Sequence, residues 1–257
     1  MSDIEVGQTD GIAAITLNRA GRRNAMTLAM WHELAGIFAD LGQDPEVRGI
    51  ILTGAGDHFC AGADISEFGA LRATVEQGHA YDKAVDDCCD AIAGAPKPTI
   101  AAIRGFCFGG GCGLAMACDF RFADQGSVFS IPAARLSIIY GMRETQNLLA
   151  LVGLANAKRI LFSAERFSAD EALRMGFIDR ISADALVSAK EFAAAMAKNA
   201  PLTIAGSKAI LTGLALGPGA LDPARARGLV ESAFESEDYR EGQRAFLEKR
   251  EPQFGGR

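Results

Sequence analysis

The residues of this chain best placed to do chemistry are glycines rather than titratable side chains. Gly109-Gly110-Gly111 follows a short apolar strand, Thr99 to Ile103, and leads into the small-residue segment Cys112-Gly113-Leu114-Ala115-Met116-Ala117. Glycine lacks a Cβ, so such a turn lets backbone approach a ligand closely. The helix that follows begins with amide N–H groups that have no intrahelical acceptor and that lie at the positive end of its dipole. The guest such a turn suits is an anion, or an oxygen that becomes anionic during a reaction. A second turn of the same kind follows the apolar strand Val47 to Thr53. It runs through Gly54-Ala55-Gly56-Asp57 into Phe59-Cys60-Ala61-Gly62-Ala63-Asp64-Ile65. Both turns fall at the C-terminal ends of their strands, where ligand sites of α/β proteins form.

The elements around these turns follow from hydrophobic periodicity. Gly11 to Leu17 reads as a strand, and 18–24 as a polar, arginine-rich loop. Thr27 is an N-cap candidate for a helix over 28–41, with Met30, Leu34, Ile37, Phe38 and Leu41 on one face. A helix covers about 74–94, and Pro96-Lys97-Pro98 breaks the chain before the strand at Thr99. Short strands are expected at 120–123, 128–131 and 178–181. Helices are expected at 144–152, 154–163, 168–175, 183–198, 201–215, 223–236 and 238–249. Strand, glycine turn and helix in repetition, with a helical C-terminal quarter, make an α/β core with an appended helical region.

Composition narrows the functions available. The 257 residues carry a net charge of −6, which disfavours nucleic acid as a partner. No apolar run reaches the roughly 18 residues of a membrane span, and no membrane role is expected. The acidic start, Met1-Ser2-Asp3-Ile4-Glu5, has no apolar signal region, which points to the cytoplasm. The six cysteines show no paired C-x-x-C spacing, and with three histidines no metal site is expected; the thiols read as reduced and structural. His58 reads as a loop residue, and His32 and His79 as surface positions on helices.

Taken together, Leu17-Asn18-Arg19, Asn24-Ala25-Met26, Ala61-Gly62-Ala63-Asp64, Gly109-Gly110-Gly111, Ala117-Cys118-Asp119-Phe120-Arg121, the segment 169–176 and Phe246-Leu247-Glu248-Lys249-Arg250 resemble, in order and spacing, the crotonase (enoyl-CoA hydratase/isomerase) superfamily. The resemblance spans nearly the whole chain. It implies an α/β spiral of ββα units over 1–195 and a C-terminal helical region, 196–257, used for oligomerisation, in a homotrimer or homohexamer. It implies an acyl-CoA thioester as substrate, with coenzyme A as part of the substrate and no other cofactor. The thioester oxygen would be held by the backbone amides of Ala63 and Gly110. Asn24, Ala25, Met26, Ala61, Asp64, Ile65, Phe108, Gly109 and Pro132 would line the CoA and acyl groove. Arg22 or Arg23 would meet the phosphates, and Phe246 and Lys249 would reach the nucleotide, often that of an adjacent subunit. Asp119 and Arg121 read as a structural pair.

The chain departs from that pattern where hydratases of the superfamily carry two glutamates. The first position, two residues after the glycine triplet, is Gly113; the second, after Pro132, is Ala133. Glycine and alanine can neither take nor give a proton, so an ordinary two-glutamate hydration is excluded. Polar residues stand nearby instead. Glu144 is a candidate relocated base, Arg143 a candidate partner for an acidic acyl group, and Tyr140 a candidate donor to an enolate or carboxylate. The alternative is a helix-start charge pair of Arg143 with Glu144, with Tyr140 filling space. An isomerase, a decarboxylase or a weak hydratase working through an enolate fits these features; a non-catalytic CoA-thioester-binding subunit is the alternative. Phe68, Leu71, Val75, Tyr81 and Val85 offer either an apolar pocket wall or a packed helix face.

Overall fold

In a computed structural model, residues 2–217 and 219–257 are described; Met1, where the acidic N-terminal segment begins, lies outside the described residues. Six strands form the main sheet: β1 (Ile4–Thr9), β2 (Ile12–Leu17), β3 (Gly49–Gly54), β4 (Thr99–Ile103), β6 (Phe120–Asp124) and β9 (Arg180–Ser182). Their spatial order is β1-β2-β3-β4-β6-β9, and all pairs after the β1/β2 hairpin are parallel. A second sheet holds β5 (Phe106–Phe108), β7 (Val128–Ser130) and β8 (Phe167–Ser168). β3 and β4 are buried along almost their whole length, as strands covered on both faces must be.

The chain climbs as a spiral. β4 sits in the large sheet, β5 in the small one, and α4 (Gly110–Ala117) completes the turn. β6, β7 and α5 (Met142–Ser163) repeat the move. The turn before them runs from β3 through Cys60, which bridges to Cys107 of β5, to α2 (Phe68–Leu71) and α3 (Val75–Gly94). Such ββα repetition is the α/β architecture expected from the sequence. α1 (Leu28–Gln43) packs against α3 with Trp31 and Phe38 fully buried, and Phe129, Phe167 and Phe177 are buried on one another at the small sheet. Burying a side chain of this kind contributes about 1.5–3 kcal/mol.

Local chemistry explains the element ends. The Thr27 hydroxyl accepts from Met30 N at 3.2 Å and starts α1. Thr74 and Gln77 close a capping box at the start of α3, as Ser168 and Glu171 do for α6 (Ala169–Met175). The span α5 is divided by non-helical backbone at Gly153 (φ +71°), so the two helices expected at 144–152 and 154–163 are both present. Three strands were not expected. β1 carries one buried residue, Ile4, so it lacks an apolar face to betray it. β5 is three residues long and merges in the sequence with the glycine turn. β8 is two residues long and ends where the helix over 168–175 was expected to begin.

After α7 (Ala185–Met196) come α8 (Pro201–Ala215), α9 (Pro223–Glu235) and α10 (Glu237–Glu248). Lys208 of α8 ties this region to the sheet: its ammonium lies 2.8 Å from Asp119 Oδ2 and donates to Lys97 O at 3.1 Å. Asp119 and Arg121 are therefore not a pair. Asp119 is held by Lys208 and Thr99, while Arg121, 3% exposed, meets Asp179 at 2.8 Å and donates to the carbonyls of Phe177 and Cys118. All six cysteines are buried and free; burial pushes the thiols of Cys60 and Cys118 up to about 12, which leaves them inert.

Candidate active site

The two glycine turns meet. Met26 forms a parallel bridge with Ala63: Met26 N donates to Gly62 O and Asp64 N donates to Met26 O, both at 2.8 Å. Bonds on either side of Ala63 turn its own N–H away from Met26, because successive backbone groups alternate in direction. Gly110 is the first residue of α4, and its N–H belongs to the orphan donors of a helix start. Neither amide has an acceptor among the described residues. They face one another closely: a Cβ placed on Gly110 would lie 3.5 Å from Ala63 N, and one on Gly62 would lie 3.3 Å from Gly110 N and 2.9 Å from Phe108 O. Gly62, with φ at +99°, is a position where any side chain would be strained and would push the turns apart.

Both amides open onto a cavity of about 130 Å³. Its walls come from the Ala61 turn, from the start of α4, from α3 and from the segment 132–144. Gly113 and Ala133 leave room there, and Glu144 fills it. A Cβ on Gly113 would stand 3.0 Å from Glu144 Oε1. Glu144 is the third residue of α5, and its Oε2 accepts from Gly141 N at 3.4 Å. Burial pushes its carboxyl up to about 7, with the charges of Asp86 and Asp82 adding to the rise and the Gly141 amide and Arg72 opposing it. The Tyr140 hydroxyl is buried without a partner among the described residues, and burial together with the Glu144 charge holds its proton on.

Arg143 is placed elsewhere. Its Nε lies 2.7 Å from Asp90 Oδ1, it does not line the cavity, and it makes no pair with Glu144. The phase of α5 puts neighbouring residues on different faces, so Glu144 points in while Arg143 points along α3.

The expected CoA-groove residues divide into those with accessible groups and those that brace the turns. Ala61, Ile65, Gly109 and Pro132 line the cavity, with Ile65 58% exposed. Asn24 and Met26 are fully buried, so their side chains reach no ligand. Asn24 instead donates to Ala55 O at 2.9 Å and His58 O at 2.7 Å, and accepts from Arg19 N. Asp64 is also bracing: Ser66 and Arg19 hold its carboxyl below the usual range, with Arg19 Nη1 at 3.0 Å. Ala25 gives its carbonyl to the same arginine at 2.6 Å. Arg22 and Arg23 are exposed on a short turn outside the cavity, with the Arg23 guanidinium 5.5 Å above the Phe106 ring. Phe108 stacks on Phe106 at 4.7 Å and also stands outside. Phe246 and Lys249 are far from the site within one chain: Phe246 projects into a groove between α8, α9 and α10, and Lys249 ends α10 in a left-handed conformation.

Among the cavity residues outside the set read from the sequence, four carry polar groups. Trp31 edges Gly110 and donates from Nε1 to the Tyr81 hydroxyl at 3.2 Å. Arg72 stacks over Phe68 and Tyr81 at 5.0 and 5.1 Å and meets Asp82 at 2.9 Å. Asp82 and Asp86 share the cavity face of α3 with Tyr81 and Val85. The available signal was the four-residue spacing that links Tyr81 to Val85 and Asp82 to Asp86. Of the proposed apolar wall, Phe68, Tyr81 and Val85 line the cavity, Leu71 packs on the core, and Val75 is exposed.

Residues 7–257 match the family model described as enoyl-CoA hydratase/isomerase. The chain belongs to the enoyl-CoA hydratase/isomerase family. It is 36% identical over 245 residues to the short-chain-enoyl-CoA hydratase of Clostridium acetobutylicum, covering 93% of this chain and 92% of that one. Among solved structures it is similar to an enoyl-CoA hydratase/isomerase family protein of Hyphomonas neptunium, with TM-score 0.94, 37% identity and coverage of 100% and 98%. An enoyl-CoA hydratase of Bacillus anthracis is similar at TM-score 0.88 and 32% identity, with both chains covered in full. The fold is thus the crotonase fold. No helix among the described residues is long and apolar enough to cross a membrane, and no group of three metal-ligating side chains is found among them.

Proposed function

We propose that this family member moves a proton on an acyl-CoA thioester, with Glu144 as the single base and the amides of Ala63 and Gly110 as the oxyanion donors. The observation that carries this reading is the 3.0 Å approach of Glu144 Oε1 to the Cβ position of Gly113. Glu144 takes the proton from a carbon next to the thioester carbonyl. The electron pair moves onto the thioester oxygen, where the two amides stabilise it; loss of one such donor costs about 2.7–4 kcal/mol of barrier. Return of the same proton at the far end of the conjugated system shifts a double bond and leaves the atom count unchanged. A base with a pKa near the working pH suits both directions.

Isomerisation of an enoyl thioester is therefore favoured over efficient hydration, which would also need a second proton-carrying group at Ala133. Decarboxylation is disfavoured by charge. Asp82, Asp86 and Glu144 face the cavity against one arginine, Arg72, already paired with Asp82. A carboxylate-bearing acyl chain would enter against them. Binding without turnover is the competing class.

The test is α-proton exchange of butyryl- or 3-butenoyl-CoA in D2O, followed by NMR, with parent and Glu144→Gln proteins. The parent is expected to exchange the α-protons of both and to shift the double bond of 3-butenoyl-CoA, and E144Q to lose about 10²–10⁴-fold. No exchange by a folded parent that binds the thioester, or an unchanged rate in E144Q, overturns the reading. Assembly as a trimer or hexamer is part of the same proposal. It is supported by Phe234, Phe246 and Leu247, exposed at 59%, 83% and 81% on α9 and α10, and is checked by light scattering.

A further inference from the structure

Helix α3 carries three aspartates at four-residue intervals, Asp82, Asp86 and Asp90. Like charges at this spacing oppose helix formation, so a neutralised stripe is expected. The two outer members are neutralised: Arg72 lies 2.9 Å from Asp82, and Arg143 lies 2.7 Å from Asp90. The central one is not. Asp86 lines the cavity, is half-buried, and has neither a hydrogen bond nor an ion pair among the described residues. It looks at Glu144 instead. A Cβ placed on Gly141 would stand 3.8 Å from both Asp86 Oδ1 and Glu144 Oε2, so both carboxylates border one point of the cavity wall.

Glu144 thus has two distinct ends. Oε1 reaches toward Gly113 of α4, and Oε2 turns toward Gly141 and Asp86. We propose that Asp86 is a positioning residue for proton transfer, an unneutralised carboxylate whose charge beside Oε2 makes Glu144 a strong enough base to act at Oε1. The inference rests on the reading of Glu144 as the base and adds a residue that strengthens it beyond what burial does.

The charge environment supports it. Glu144 is faced by Asp82, Asp86 and Cys89 of α3, by Arg72 ahead of that helix, by Tyr140 and by the Gly141 amide. Asp86 is faced by Asp82, Asp87 and Asp90 on its own helix and by Arg143 and Glu144 of α5. Burial raises the Asp86 carboxyl, and its acidic neighbours raise it further against Arg143. Two like carboxylates sharing a site hold their protons more tightly than either would alone.

The experiment is the pH profile of α-proton exchange for parent, Asp86→Asn, Asp86→Glu and Glu144→Gln proteins. In D86N the acidic limb is expected to move to lower pH, so that at pH 5 the rate relative to its own plateau rises roughly tenfold. Its plateau is expected to fall several-fold, because the base is weaker. D86E is expected to restore the parent limb. A merely structural aspartate would change the plateau and leave the limb in place. An unmoved limb in D86N, with E144Q inactive, overturns this inference and leaves Glu144 as the base. Parent-like exchange by E144Q overturns the base reading itself. If D86N turns over too slowly to profile, NMR titration of the 13C-labelled Glu144 carboxyl decides: an unchanged midpoint between parent and D86N overturns the inference, and a lowered one supports it.

Discussion

Two glutamates of this chain have been given opposite surroundings. Glu241, on α10, is wrapped by arginines: Arg250 Nη1 lies 2.6 Å from one oxygen, Arg244 Nη2 2.6 Å from the other, and Gln253 N donates at 3.1 Å. These bonds, Arg250 first, hold its carboxyl far below the usual range. Glu144 is half-buried in the cavity wall with one weak amide bond, two nearby aspartates and no ion pair, and is pushed up to about 7. The same side chain thus fastens a tail in one place and stands ready for protons in the other. What separates them is the supply of donors. A carboxylate with its lone pairs satisfied has no reason to take a proton, whereas one deprived of partners keeps a proton at neutral pH and releases it readily. The first arrangement spends the side chain on stability, the second spends stability on reactivity.

The largest test of this contrast is the pH dependence of stability. Glu144 has a folded-state pKa raised from 4.5 to about 7. Its contribution is fully present below the unfolded value and is lost as pH rises through 7. Glu144→Gln cannot ionise, so it escapes that loss. Urea unfolding of E144Q and parent at pH 4.5 and pH 8 is expected to show E144Q gaining on the order of 2 kcal/mol relative to the parent between the two conditions. Parallel curves would mean that Glu144 is as well accommodated as Glu241.

Glu241→Gln sharpens the other side with a smaller effect of opposite sign. A depressed folded-state pKa contributes stability above the ordinary carboxylate range and loses it as pH falls through the folded value. The melting temperature of E241Q is expected to fall below the parent's at pH 7. The gap should close in strongly acidic buffer, and α-proton exchange should keep its pH profile. A gap independent of pH would show that Glu241 acts through packing rather than charge.

The backbone half of the site was legible in the sequence because it depends on what glycine permits. The chain must pass Gly62 at φ +99° and cap α4 with Gly109 at φ +49°, and few residue types allow either. The side-chain half was legible only in outline. Glu144 stood out as a carboxylate near the vacancies at Gly113 and Ala133, but Tyr140 and Arg143 stood out equally. Which of them turns inward is decided by where α5 starts, at the Gly141 cap, and no residue type reports that phase. Asp86 and Arg72 were hidden because each takes its meaning from a partner distant in the chain. Arg72 becomes part of the wall through Asp82, and Asp86 becomes conspicuous only once Asp90 is seen to have taken Arg143. Asn24 and Met26 misled for a related reason. Residues that brace a binding loop sit in the same motif as those that touch a ligand, and only burial separates them.

The smallest expected effect belongs to Arg143→Gln, and it probes whether proximity along the chain was mistaken for function. Arg143 adjoins Glu144 in sequence, yet its guanidinium lies on Asp90, with the two side chains 33% and 49% exposed. An ion pair in such a setting contributes about 0–1 kcal/mol. R143Q is therefore expected to unfold within about 0.5 kcal/mol of the parent and to exchange α-protons within roughly threefold of its rate. Freed from Arg143, Asp90 leaves a second unneutralised carboxylate near Asp86, so the acidic limb of the pH profile should move slightly upward, opposite to D86N. A selective loss of activity on carboxylated acyl thioesters in R143Q would instead make Arg143 a substrate partner, and would require its guanidinium to leave Asp90 when the cavity fills.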